Sequence, residues 1–288
     1  VKKVPVQVEG RDLVLSNLDK VLYPEVGFTK AEVIDYYTRI SPVLLPHLRG
    51  RPLTVKRYPN GVGGAFFFEK NAPRHTPSWI RTVRLPVPGS TKDRETIDFP
   101  VVDDLPTLVY FANLAALELH VPMWRVSDAG EALPPDLLVF DLDPGEPATI
   151  VECCAVALLL RDALAEDGHE CFPKTSGNKG MQLHVPWDSQ ESTSAYAKAL
   201  AERLARKYDF VTAVMAKRER PGKVFIDWSQ NNPAKTTVAV YSIRANPQPT
   251  VSTPLTWDEV ADCDDPDQLR LTTADVLARV RAHGDLFP

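Results

Sequence analysis

The sequence is short of cysteine, of glycine and of long apolar runs, and each shortage excludes something. Only four cysteines occur in 288 residues, Cys153, Cys154, Cys171 and Cys263, and no two are spaced Cys-x-x-Cys. Two of them are adjacent on a stretch that reads as an apolar helix. Buried thiols in a reducing cytosol are therefore expected, rather than a zinc site or a disulfide framework. No apolar run approaches the ~18 residues that a membrane-spanning helix needs. The N-terminus also lacks the charged-then-apolar pattern of a secretory signal. A cytoplasmic protein with no membrane contact is the expectation. Repeats, low-complexity tracts and obvious flexible linkers are missing too. Glycine is outnumbered by proline, 14 against 26, and the prolines punctuate many short connections.

A surplus of positive charge is absent as well, since the formal net charge is -5. Divided along the chain, the balance changes. Residues 1–100 hold 16 Lys and Arg against 10 Asp and Glu, and the remainder 17 against 28. Such asymmetry allows a basic face for a polyanion beside an acidic region able to hold metal. A single domain over 1–288 is expected, with a basic part at 1–100 and an acidic part at 101–288. With 44% apolar and 25% charged residues, the chain can bury an ordinary globular core.

What is present reads as interleaved but irregular strands and helices, which favours an α+β enzyme with a mixed sheet over a regular βαβ repeat. Val4 to Leu15 alternates like strands. Thr29-Lys-Ala-Glu32 is a capping box that opens a helix through Tyr37 toward Pro42. Leu53–Tyr58 and Ala65–Glu69 read as strands joined by Pro59-Asn60-Gly61. Leu108–Leu119 has the apolar density of a buried helix. Further strands are expected at Leu137–Asp143, Cys171–Thr175, Met181–Pro186, Val224–Trp228 and Thr237–Ile243. Helices are expected at about 149–166, at Ser194–Tyr208, after Thr256 and at Thr273–His283.

The strongest chemical feature is Val139-Phe-Asp-Leu-Asp-Pro-Gly145. Residues two apart on a strand share a face, so Asp141 and Asp143 project together, ~7 Å apart at their Cα atoms. Two such carboxylates repel unless a cation sits between them, and hard oxygen ligands suit Mg²⁺ or Mn²⁺. A strand that ends in solvated turn residues is the alternative. A third acid, Asp227, lies inside the apolar run Val224-Phe-Ile-Asp-Trp228, where a lone carboxylate is costly unless paired or liganded. Two acids on one strand and one on a neighbour suit a pair of metal ions ~3.5–4 Å apart, as nucleotidyl transfer requires.

Thr175-Ser-Gly-Asn-Lys-Gly180 lies between two strands. Its glycines permit close backbone approach to a phosphate, with a hydroxyl from Ser176 and a charge from Lys179. A bare hairpin turn explains the same residues equally well. Arg220, Lys223, Lys235 and Arg244 add four cations close in sequence to Asp227. Beside a triphosphate they become partners for it; elsewhere they would be a solvated face.

Taken together, seven blocks in order resemble the polymerase domain of bacterial DNA ligase D, in the archaeo-eukaryotic primase superfamily. They are Leu15–Pro24, Lys56–Gly61, Phe67–Lys70, His120–Trp124, Asp141–Gly145, Ser176–Gly180 and Val224–Asn231, and the likeness runs from about Val14 to the C-terminal helix. It implies a primase-like α+β fold with a mixed or antiparallel central sheet, flanking helices and a smaller β-rich N-terminal part. It also implies a nucleotidyltransferase that adds NTPs or dNTPs to a DNA primer in gap filling or end joining, with two Mn²⁺ (or Mg²⁺) ions. By the same likeness Asp141, Asp143 and Asp227 match metal-binding, catalytic acids. His120, Ser176, Lys179, Gln182, Arg220 and Arg244 match nucleotide-site positions. Asn17, Lys20 and Lys30 match a pocket for a DNA 5′-phosphate, and Lys56, Phe67 and Phe68 match template contacts. DNA with gaps or 5′-phosphorylated ends, a DNA ligase and a Ku-type end-binding protein are the implied partners. Physically, lysines neutralise phosphate and exposed aromatics stack on bases, although at least one of Phe66, Phe67 and Phe68 is expected in the core. His120 taken without the family would read as a satisfied buried histidine.

Two departures stand out. The family pattern Ser-Gly-x-x-Gly-x-His places a histidine where this chain has Gln182, and His184 follows on the same strand face as a substitute. Glutamine can donate to a phosphate but carries no charge. No Lys-x-Asp-Gly ligase motif is present either, so a stand-alone homologue or an excised domain is expected. The alternative functions are an end-binding module that recognises the 5′-phosphate with weak or vestigial catalysis, and a primer-independent primase. A two-metal nuclease suits the cradle and its cations less well.

Overall fold

Among the described residues two large apolar cores, each lying against its own sheet, and a small third cluster of Val83, Leu85, Val101 and Val126 account for the architecture. The computed structural model describes residues 2–87 and 95–288, so 88–94 of the basic first hundred lie outside the described residues. The alternating N-terminal segment folds as a hairpin of β1 (Lys3–Val8) and β2 (Arg11–Ser16). A short pair follows, β3 (Val21–Tyr23) and β4 (Phe28–Thr29). Thr29 then caps α1 (Lys30–Leu48), accepting from the Glu32 N–H at 3.3 Å while the Glu32 carboxylate accepts from the Thr29 N–H at 2.7 Å.

α1 does not stop at Pro42 but runs through it and through Pro46. A proline inside a helix strands the carbonyl four residues before it. Here the Ser41 hydroxyl donates to the Thr38 carbonyl at 2.8 Å and satisfies it. The buried stripe Val33, Tyr37, Ile40, Leu44 and Leu48 holds the helix on the first core.

β5 (Thr54–Arg57) and β6 (Phe67–Glu69) form the expected hairpin, and β7 (Thr82–Pro86) pairs with β8 (Thr96–Pro100). One expectation fails at β6. Phe66, Phe67 and Phe68 are 51%, 53% and 46% exposed, so none of the three is core. β6 is a three-residue edge strand, with a neighbour on one side only. A second difference lies at 108–119, which is not one helix. α2 (Leu105–Asn113) ends at a turn where Ala115 takes φ +57, and β9 (Ala116–Val121) begins at once. The Tyr37 hydroxyl pins that switch by donating to the Leu117 carbonyl at 2.5 Å.

β10 (Trp124–Val126), β11 (Ala132–Pro135) and β12 (Leu137–Pro144) lead to α3 (Ile150–Glu166). β13 (Phe172–Thr175) and β14 (Met181–Pro186) precede α4 (Thr193–Lys207), and β15 (Val211–Thr212) precedes β16 (Val224–Asp227). β17 (Thr237–Val238) stops well short of Ile243 because the chain turns at Tyr241, φ +64. α5 (Trp257–Ala261) and α6 (Thr273–His283) close the chain.

The larger sheet runs β13-β14-β12-β16-β15, antiparallel except for the last pair, and the second runs β17-β9-β5-β6. Because β5 bonds to β9, the charge division near residue 100 is not a break in the fold. α3 and α4 cover one face of the larger sheet. Leu138, Phe140 and Leu142 point into that core with no exposed surface, each contributing about 1.5–3 kcal/mol by burial. Strand alternation sends Val139, Asp141 and Asp143 to the other face. That face looks toward the second sheet, since the Lys174 ammonium reaches the Val238 carbonyl at 3.1 Å. All four cysteines are free and buried. No helix among the described residues is long and apolar enough to cross a membrane.

Candidate active site

The three acids are brought together by register. Asp141 of β12 stands directly opposite Asp227 of β16, and Asp143 follows on the same face of β12. Opposed residues of an antiparallel pair have Cβ atoms about 4.5–5.5 Å apart, and like charges there are destabilising. Burial pushes the Asp141 carboxyl well up, Asp143 and Asp227 add to the shift, and Gln182 and Lys174 oppose it. Asp143, at the exposed end, is also pushed up, by the burial of its inner side and by Asp227, with Arg220 opposing. Asp227 is held firmly: its Oδ1 accepts from the Ser229 N–H at 2.9 Å and from the Ser229 hydroxyl at 2.5 Å, and its Oδ2 from Gln230 at 3.1 Å. Lys235 donates to that same Ser229 oxygen at 2.5 Å, which joins one of the expected cations to the third acid.

Carboxylates crowded on one partly buried face are what a hard divalent cation relieves, so the donor set fits Mg²⁺ or Mn²⁺. Among the described residues, no three His, Cys, Asp or Glu side chains gather closely enough to enclose an ion by themselves. A cation on these acids would complete its shell with water and substrate oxygens, as Mg²⁺ habitually does.

The Ser176–Gly180 loop joins β13 to β14 beside the acids. Ser176 Oγ accepts from the N–H groups of Asn178 and Gly180 at 3.2 and 3.3 Å, which closes the loop on itself. A Cβ at Gly180 would lie 2.0 Å from the Leu142 carbonyl, and one at Gly145 would lie 2.0 Å from the Arg220 carbonyl. These two glycines therefore let the loop and the Arg220 segment close over the end of β12. Arg220 stacks on Phe225 at 3.8 Å and donates to the Met215 carbonyl at 2.7 Å, while its buried Nε has no partner. Lys179 is exposed and pairs with Glu146 at 3.0 Å. A cavity of about 580 Å³ borders the loop at Gly177, Asn178 and Lys179, and none of the three acids lines it.

Arg244, His120 and Lys56 converge on one residue the sequence reading did not single out. Glu118 is buried in β9, with its carboxylate 2.9 Å from His120 Nε2, 3.4 Å from Arg244 Nε and 3.6 Å from Lys56 Nζ. It also accepts from the Ala245 N–H at 3.1 Å. Burial pushes Glu118 up, but His120, Arg244 and Lys56 overcome it and hold the carboxyl at about 2. His120 is lowered by its own burial, against the pull of Glu118. Arg244 donates onward to the Ser176 carbonyl at 3.1 Å, so one buried carboxylate ties the loop to the second sheet. The charge was detectable only as an acid between Leu117 and Leu119 in an apolar run.

Gln182 is buried on β14, directly opposite Asp141, and its amide opposes the upward push that burial gives that acid. Its amide oxygen accepts from Lys174 at 2.6 Å. Lys174, also not anticipated, is 1% exposed, and burial lowers it to about 7 against the pull of Asp141. His184 does not substitute for a histidine at 182. It packs 5.1 Å from Phe287 with a buried, unpartnered Nδ1, in a cavity of about 210 Å³ that none of the three acids lines.

The basic N-terminal positions form a separate cluster. Lys30 is buried and donates to the Ser16 carbonyl at 2.6 Å; burial, then Lys20 and Arg57, lower it to about 8. Lys20 reaches Asn60 at 2.9 Å, and Asn17 takes φ +54. Arg57, unanticipated here, is anchored to Glu69 at 3.0 Å. Near it, Lys56 lies 4.9 Å over the Phe66 ring, and Phe68 meets His120 edge-on at 6.1 Å. The exposed aromatics thus border the Glu118 cluster.

Comparison with known proteins agrees with this geometry. Residues 29–287 match the family described as LigD, primase-polymerase domain. The multifunctional non-homologous end joining protein LigD of Mycolicibacterium smegmatis is 45% identical over 278 residues, 95% of this chain and 35% of that protein. The bifunctional LigD of Bacillus subtilis is 32% identical over 96% of this chain and 43% of its own length. The chain thus spans well under half of these relatives. A solved structure, the polymerase domain of Mycobacterium tuberculosis ligase D in complex with DNA, matches with a TM-score of 0.88 and 42% identity, covering 95% of this chain and 96% of that one.

Proposed function

The chain belongs to the LigD primase-polymerase family, nucleotidyltransferases of non-homologous end joining, and we propose that it extends a DNA primer at gaps and broken ends that carry a 5′-phosphate. The observation that carries this is Asp141 opposite Asp227, with Asp143 on the same face, beside a loop held by Arg244. Asp141, Asp143 and Asp227 would hold two divalent ions, Mn²⁺ by preference. When bound, such ions activate the primer 3′-hydroxyl and stabilise the leaving pyrophosphate.

The chain's own residues orient the reactants. Arg220, Arg244 and Lys179 supply charge-assisted donors for the triphosphate. His120, kept neutral by burial, offers an imidazole to the incoming nucleotide while Glu118 fixes its ring. Phe67 and Phe68, both exposed, offer faces on which template bases stack. Lys20 and Lys30, with Asn17, receive the downstream 5′-phosphate. NTPs in preference to dNTPs, a partner ligase, a Ku-type end-binding protein and action in the bacterial cytosol complete the proposal.

Primer extension on a one-nucleotide gap tests it, with and without the downstream 5′-phosphate, with MnCl₂ and separate NTP and dNTP pools. Addition that needs both Asp141 and the phosphate is expected. Tight phosphate-dependent binding with no addition would favour an end-binding module instead.

A further inference from the structure

One polar row crosses the larger sheet. Lys174 of β13 stands opposite Gln182 of β14, Gln182 opposite Asp141 of β12, and Asp141 opposite Asp227 of β16. The next row on that face is Phe172, His184 and Val139. Four polar side chains in line, with no solvent at the Lys174 end, are costly to bury unless each satisfies the next.

They do. The Lys174 ammonium spends its three donors on Gln182 Oε1 at 2.6 Å, Ser252 Oγ at 2.6 Å and the Val238 carbonyl at 3.1 Å. Ser252 in turn donates to the Thr175 carbonyl at 2.8 Å, which locks the lysine to its own strand. An ammonium can only donate, so it claims the oxygen of the Gln182 amide and leaves the NH₂ end to face Asp141. A lysine paired directly with Asp141 would occupy the oxygen that a cation needs. Interposing an amide keeps the positive charge behind the acids and leaves an N–H donor on the strand position opposite Asp141.

We propose that Lys174 and Gln182 are a positioning pair for Asp141: the ammonium sets the polarity of the Gln182 amide, and the amide N–H orients the Asp141 carboxylate toward a divalent ion. This rests on the metal-binding reading of the three acids. Partners of this kind behind a metal ligand typically change metal affinity about 10–100-fold when removed.

The test is Mn²⁺ binding to the full chain without nucleotide, followed by loss of the free-ion paramagnetic resonance signal. Thermal melting of every variant reports folding. Gln182→Leu leaves Lys174 two of its three acceptors and should fold, whereas Lys174→Met alone could fail. Gln182→Leu is expected to weaken Mn²⁺ binding by about 10-fold or more, and the Lys174→Met/Gln182→Leu double variant to weaken it no further. Wild-type Mn²⁺ affinity in folded Gln182→Leu would overturn the positioning role. A double variant whose losses multiply would show that Lys174 does not act through Gln182. Asp141→Asn separates this from the underlying reading: if that variant binds Mn²⁺ like the wild type, the acids are not the metal site at all.

Discussion

Asp141 and Asp227 face each other across the β12–β16 ladder, two carboxylates at a position where a sheet gains from opposite charges. Without a cation the pair is a local defect, and the fold tolerates it because the surrounding strands and the α3–α4 core are well buried.

The metal-free chain should therefore be stabilised by Asp141→Asn, which is expected to abolish nucleotide addition. The Asp141 pKa is raised above its unfolded value of about 3.9. The folded state holds a proton that the unfolded state releases, so this group's contribution falls as pH rises from about 4 toward neutrality. Melts in chelator across that range should fall less steeply for the variant, and its Tm near neutrality should be higher, by about 2–4 °C per kcal/mol relieved. Parallel curves would contradict a raised Asp141 carboxyl.

Glu118→Gln keeps the shape of the side chain and removes the charge that His120, Arg244 and Lys56 share. Breaking a buried ion pair from one side costs about 3–5 kcal/mol, so urea melts should register a loss of that order. The KM for nucleotide should rise about 10-fold, matching a loss of about 1.4 kcal/mol, with a smaller fall in kcat. Unchanged melting and KM would remove Glu118 from the site.

Much of this site was readable from spacing. The i, i+2 rule put Asp141 and Asp143 on one face, and an acid stranded in an apolar run marked Asp227. The Thr29-x-x-Glu32 box also opened α1 as expected. What spacing could not supply was cross-strand register, so the Lys174–Gln182–Asp141 alignment was invisible. Glu118 and Lys174 were hidden for a related reason: each looks like an ordinary charge until partners distant in sequence are known. The break at Ala115 escaped notice because an unbroken apolar run fits a buried helix and a buried strand equally well. The three phenylalanines misled because nothing local tells an edge strand from a central one.

Lys20→Ala should weaken binding to a 5′-phosphorylated gap far more than to an unphosphorylated one. Hydrogen bonds to charged groups contribute about 1.5–3 kcal/mol, so a loss of at least about 10-fold is expected on the phosphorylated substrate alone. Fluorescence anisotropy at fixed salt with both substrates decides it. Equal losses would remove the phosphate pocket.

Lys30 gives that pocket a pH dependence. Burial, Lys20 and Arg57 lower it to about 8, and a bound phosphate would favour its charged form. Binding should take up a proton near pH 8, so affinity for the phosphorylated gap should fall from pH 7 to 9. The Lys30→Met variant should bind more weakly with a flatter profile. A wild-type profile as flat as the variant's would show that Lys30 does not meet the phosphate.

Asp227→Ala, assayed for nucleotide addition and for gap binding in the same preparation, tests the central claim most directly. Addition should fall by roughly 1,000-fold or more, the several kcal/mol that metal-assisted charge stabilisation provides, while DNA affinity changes by less than about twofold. Addition that survives, or binding that falls as far as addition, would contradict the assignment of the three acids to catalysis.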